Sequence, residues 1–296
     1  MNSLAVIFII IVLVSCGSAR HSKGSKNLMP GTWQSTPIVI DGDSKDWPSP
    51  YPNYDATARV AYATSNDAQN LYISMESGDE MTLLKILKQG MTVSVDTSGK
   101  KDPQFNINYP LQNDNEPLDM PKHDHAQNVD SRTSLAARQT EQKINKLAQE
   151  ANQFSLDGFA NCNGGYLISQ TVPCGIRIKA RIDEYKELVW EVVIPFKAIY
   201  NRESISTADA GKPISVCFSI NRFKPASPKN DNNGGSGSNS GMGGAGSNSS
   251  MGGGSGGRGG GRGGKGGGAR NTATDPNQQL YESTKTWKHF AIVYQH

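Results

Sequence analysis

No catalytic constellation is visible in this 296-residue chain. The sequence places no two carboxylates across a cleft, as glycoside hydrolysis requires. It also lacks a strong charge of either sign. The formal net charge is +3, and Arg258, Arg262, Lys265 and Arg270 sit in a glycine-rich tract with no acidic residue among them; subtracting those four leaves −1 for the rest. A nearly neutral body argues against a nucleic-acid or polyanion groove, so no nucleic-acid partner is expected. Hydrophobic residues make up 35%, enough for one core, but 32 glycines and a mean hydropathy of −0.54 leave part of the chain unable to pack. One domain with unstructured segments is the expectation.

Long hydrophobic runs are missing beyond Leu4 to Val14, which is too short to span a bilayer comfortably and reads as the core of a signal peptide. Leu13-Val14-Ser15-Cys16 resembles a bacterial lipobox. That resemblance implies removal of residues 1–15, acylation of Cys16 with palmitate-type chains, and a membrane as partner through the lipid. An ordinary cleaved signal and an uncleaved anchor are the alternatives, and Met1-Asn2-Ser3 lacks the usual Lys or Arg. Gly17 and Ser18 provide no inner-membrane retention aspartate, so the expected location is the cell outer membrane of a diderm bacterium. Residues 16–35 are polar and read as a tether, with a single domain over 36–296.

Within the domain, the polar turn Asn66 to Asn70 separates Ala58/Val60/Tyr62 from Leu71/Ile73/Met75, a hairpin signal. Ile38-Val39-Ile40 reads as a short strand. Asp79 as N-cap and Gly90 just past the end bracket a short helix. Period-two runs recur at Met91/Val93/Val95, at Ile176/Ile178/Ala180/Ile182, at Ile214/Val216/Phe218/Ile220 and at Phe290/Ile292/Tyr294. Cys217 falls on the wet side of its run. Leu188 to Ile194 is apolar at nearly every position and reads as a central strand covered on both faces. A thin apolar stripe over about 131–153 predicts one exposed helix inserted on the sheets, and about 228–275 predicts a disordered Gly-rich loop. The fold class is therefore all-β, a two-sheet antiparallel β-sandwich with these two inserts.

The order of Ile40-Asp41-Gly42-Asp43 with Asp46-Trp47, then Asn66-Asp67 with Asn70-Leu71-Tyr72-Ile73, Gly90-Met91-Thr92-Val93, and Trp190-Glu191-Val192-Val193-Ile194-Pro195-Phe196 resembles family 9 carbohydrate-binding modules and related DOMON-type β-sandwiches. The resemblance covers roughly Pro37 to Tyr109 and Phe154 to Tyr294. It implies a two-sheet sandwich and, at the level of the family, carbohydrate binding. The two aromatics that sandwich a sugar in such modules have no matching positions here.

A sugar site needs flat aromatic faces beside amides and carboxylates. Trp47, Tyr51 and Tyr54, with Asp43 and Asn53, form the best local cluster; the competing reading has Trp47 plugging the sandwich with the tyrosines packed over it. Asp41, Asp43 and Asp46 offer oxygen ligands for a structural calcium, against turn and capping roles. His123-Asp124-His125 reads as solvated rather than metal-binding. Cys162 and Cys174 bracket a turn-rich segment and form either a disulfide or two thiols. The functional expectation is a non-enzymatic, lipid-anchored envelope module that binds glycans. The alternative is a structural or assembly lipoprotein that binds another envelope protein.

Overall fold

The computed structural model describes residues 28–111, 129–224 and 278–295. The signal segment with Cys16, the His123-Asp124-His125 triplet and the Gly-rich insert lie outside the described residues. The chain forms strands β1 (Leu28–Met29), β2 (Asn53–Asp55), β3 (Val60–Asn66) and β4 (Asn70–Ser77), helix α1 (Glu80–Gln89), and strands β5 (Met91–Asp96) and β6 (Phe105–Tyr109). Helix α2 (Val129–Glu150) is followed by β7 (Gln153–Asp157), β8 (Gly164–Leu167), β9 (Arg177–Ile182), β10 (Leu188–Pro195), helix α3 (Phe196–Tyr200), β11 (Pro213–Ile220) and β12 (Thr284–Ala291). The strands form a seven-stranded sheet, ordered β1-β12-β11-β5-β6-β7-β8, and a five-stranded sheet, ordered β2-β3-β4-β10-β9. All pairings are antiparallel except that of β1 with β12. The fold is an all-β sandwich.

The core lies between the sheets because the alternating residues of each strand converge there. Val93 and Val95, Ile107, Phe154 and Leu156, Val216 and Phe218 come from one sheet; Tyr62, Ile73, Met75, Trp190 and Val192 come from the other. The hairpin at the start of the five-stranded sheet is closed by Asp67, whose carboxylate accepts from the amides of Gln69 and Asn70 and from the Tyr72 hydroxyl. Asp79 caps α1 by accepting from the Thr82 amide, and Gly90 ends it at φ 79°, a backbone state open to glycine. Every residue from Leu188 to Ile194 is buried, because β10 lies between β4 and β9 and is covered on both faces.

Four expectations need correction. The fold takes in residues assigned to the tether: Leu28 and Met29 pair beside His289 and Phe290, and Trp33 bridges to Asn66. Ile38-Val39-Ile40 joins no sheet; Ile38 is buried but Val39 is exposed, since the segment crosses the outer surface of the five-stranded sheet instead of extending it. Helix α2 is not wholly exposed. Ile144 enters the core, with Leu147 and Ala148 packed against it, while Leu135 stays exposed. Cys217 does point away from the core, but it is fully buried, flanked by Trp287 on β12 and Ser94 on β5. Among the described residues, no helix is long and apolar enough to cross a membrane.

Candidate functional site

The loop nominated from the sequence is a structural lid. Trp47 and Tyr51 are 5% and 8% exposed and join Ile38, Ala63, Tyr72 and Val193 in a second small core on the outer face of the five-stranded sheet. Their rings are not available to stack on a sugar, which corrects that assignment. The lid is fastened by Glu191, a fully buried carboxylate on β10. It accepts from the Trp47 indole Nε1 at 2.6 Å and from the amides of Gly42 and Asp41 at 2.6 and 3.1 Å. Burial raises the Glu191 pKa, and these hydrogen bonds oppose that rise by stabilising the charged form. The Tyr51 hydroxyl meets Ser74 Oγ at 2.8 Å. Tyr54, 63% exposed, stands apart on edge strand β2, where the neighbouring Asn53 donates to the Tyr62 carbonyl.

The aspartates of the same loop serve separate turns. Asp41 accepts from the Asp43 amide, Asp46 from the Val39 amide, and Asp43 from both the amide and the ammonium of Lys45. Arg181 also lies 3.3 Å from Asp43. Carboxylates spread over different donors, with two cations among them, do not fit a calcium ion. No group of three or more His, Cys, Asp or Glu is placed to hold a metal among the described residues. Cys162 and Cys174 are joined as a disulfide with their Cα atoms 5.8 Å apart. It encloses β8, with Cys162 before that strand and Cys174 after it, and lies against the core.

The outer face of the seven-stranded sheet has a different chemistry. One row across it reads Trp287, Cys217, Ser94, Asn106 and, at the far end, Asp157; the next reads Lys285, Ser219, Thr92, Asn108 and Ser155. At about 4.8 Å per strand, each row extends roughly 19 Å. Ser94 Oγ donates to Asn106 Oδ1 and Thr92 Oγ1 to Asn108 Oδ1, both at 2.7 Å, and Asn108 Nδ2 donates to Ser155 Oγ at 3.1 Å. These bonds fix amide and hydroxyl groups in a flat polar array. Trp287 is the one aromatic that the strands of this face contribute among the described residues, and it is partly exposed at the end of the array.

Beside Trp287 the surface falls into a pocket of about 500 Å³, lined also by Leu28, Met29, Pro30, Lys101, His289 and Lys288, the last of which is paired with Asp55. The Ser215 hydroxyl lies 2.8 Å from His289 Nδ1, and Asp96 is the cross-strand neighbour of Ser215. This grouping is not a Ser-His-Asp relay. Ser215 sits between the other two, whereas a relay needs the imidazole in the middle. Ser215 is also fully buried, and the Asp96 carboxylate is engaged by Ser98 and the Lys101 amide. Burial lowers the His289 pKa, Lys101 adds to the effect, and Asp96 opposes it.

Sequence reasoning passed over Trp287, although the signal was present. Phe290 and Ile292 face the core, so period two puts Trp287 on the opposite, wet face of the same strand, where a large aromatic is unusual.

No protein-family model matches this chain, and no curated protein matches it. Among solved structures, it is similar to a carbohydrate binding module family 9 (CBM9) from Caldicellulosiruptor kristjanssonii in complex with glucose, at 11% identity and a TM-score of 0.30. The similarity covers 67% of this chain and 80% of that one.

Proposed function

We propose that this chain is a non-catalytic glycan-binding module of the cell envelope, held at the outer membrane by lipid on Cys16. The observation that carries the glycan reading is the partly exposed Trp287 at the end of the Ser, Thr and Asn array. A pyranose presents a C–H face and a rim of hydroxyls; an indole face and a fixed row of amides and hydroxyls complement both. A single stacking aromatic favours lateral binding along the array over end-on capture between two rings. The apolar run before Cys16 and the lipobox resemblance support the anchor.

The test is a glycan-array screen of the full chain carrying Cys16→Ser, with Trp287→Ala alongside. Saturable binding that disappears in the variant supports the reading. Absence of binding to any glycan overturns it and favours the assembly role, for which the exposed Leu135 of α2 is a candidate contact.

A further inference from the structure

The pocket beside Trp287 has a chemistry that a neutral sugar does not use. Lys101 lines it together with His289, and Lys285 lies two residues before Trp287 on the same outward side of β12, opposite Ser219. One lysine therefore stands toward each end of the Trp287 stretch of β12. Both side chains are exposed, and among the described residues no ion pair engages either of them. The other described cations near polar surface are mostly committed: Lys45 and Arg181 to Asp43, Arg202 and Lys212 to Asp209, Lys288 to Asp55. The second large pocket, about 620 Å³ beside Tyr185, is lined by Asp43, Lys45 and Arg181, which already pair with one another. At Trp287 the positive groups are left open, next to an aromatic ring and the apolar wall of Leu28 to Pro30.

Resting on the glycan-binding reading, we propose that this pocket selects an acidic sugar: a uronate ring stacks on Trp287, its carboxylate is met by Lys101 or Lys285, and the adjoining polysaccharide lies along the Thr92, Asn108 and Ser155 row. The near-neutral body of the protein is consistent with this, because the site needs one carboxylate at one open lysine and not a polyanion groove. Charge-assisted hydrogen bonds are stronger than neutral ones, so masking the carboxylate removes the larger part of the discrimination. His289 supplies a ring nitrogen at the pocket wall and is held by Ser215, which fixes its orientation.

The full chain with Cys16→Ser is titrated calorimetrically with oligomers of galacturonate, alginate and hyaluronate, with methyl-esterified oligogalacturonate, and with a neutral cello-oligosaccharide. At least one uronate oligomer is expected to bind about tenfold tighter than its neutral counterpart, a difference that shrinks with added salt. Lys101→Ala and Lys285→Ala, both at exposed positions and not expected to disturb folding, are expected together to abolish that preference while leaving neutral binding in place. Trp287→Ala removes binding of both kinds. Equal affinity for acidic and neutral oligomers, or an acid preference that survives the double lysine variant, overturns the acidic-sugar inference and leaves the glycan reading standing. No affinity for any glycan, acidic or neutral, overturns both.

Discussion

The indole nitrogen of Trp47 donates to Oε1 of Glu191 across 2.6 Å, joining residues 144 apart in sequence. Trp47 closes the Asp-Gly-Asp turn, and Glu191 stands in the middle of the most apolar strand of the protein. The same carboxylate takes the amides of Asp41 and Gly42, so one buried anion gathers the turn onto the outer face of the five-stranded sheet. The contact explains why an Asp-Gly-Asp…Asp-Trp segment and a Trp-Glu-Val-Val-Ile-Pro segment occur in one chain: each supplies what the other leaves unsatisfied.

Trp47→Phe keeps most of the ring and removes the donor. It is expected to cost about 2–3 kcal/mol in urea unfolding, because a buried carboxylate loses a hydrogen bond that water does not replace. Glycan binding at Trp287 is expected to be unchanged, since the two residues lie on outer faces of different sheets.

Glu76, on the outer face of the five-stranded sheet, has its pKa raised from an ordinary 4.5 to about 7, chiefly by burial and further by Glu187 and Asp183. A carboxyl with a raised native pKa favours the folded state when protonated. Its contribution is therefore most favourable below about pH 4.5 and is lost as pH rises through 7. Glu76→Gln is expected to flatten the fall in Tm between pH 5 and pH 8. A variant with the same slope as the parent chain contradicts the assignment.

Gly158 follows β7 at φ 83°, and a Cβ placed there would lie 2.0 Å from the Gln104 carbonyl oxygen. Gly158→Ala combines a disfavoured backbone state with a clash against main chain that cannot move aside. A marked drop in Tm is expected, larger than that of Gly164→Ala, which shares a positive φ, 130°, but has open space around its Cβ.

Cys162 and Cys174 close a short loop, and Cys217 is buried with its thiol pushed up to about 11 by desolvation. In the Cys16→Ser chain, three of the four cysteines remain. The folded protein is expected to react with no thiol reagent, the unfolded protein with one equivalent, and the unfolded reduced protein with three. Replacing both Cys162 and Cys174 with Ser is expected to lower stability by about 2–3 kcal/mol, read from urea unfolding.

Much of the architecture was legible because one physical rule wrote it into the chain. A strand with one wet face must alternate, so Ile176 to Ile182 and Ile214 to Ile220 declared their inward sides before any partner was known. The α1 boundaries were equally plain, because Asp79 and Gly90 act through local backbone geometry. Leu28 and Met29 were missed for the opposite reason. Two residues are too few to show a period, and their strand exists only because the free edge of β12 accepts it.

The site divides along the same line. Sequence alone determined that Trp47 and Tyr51 are near one another and that Trp287 lies on the face opposite Phe290, because chain proximity and strand period are local properties. Only the tertiary structure decided which aromatics are buried. Glu191 and the Ala63, Tyr72 and Val193 surface draw Trp47 and Tyr51 inward, while Trp287 stays partly open beside the Ser, Thr and Asn rows. Burial depends on which surfaces meet across 100 residues or more of chain, and no local pattern contains that information.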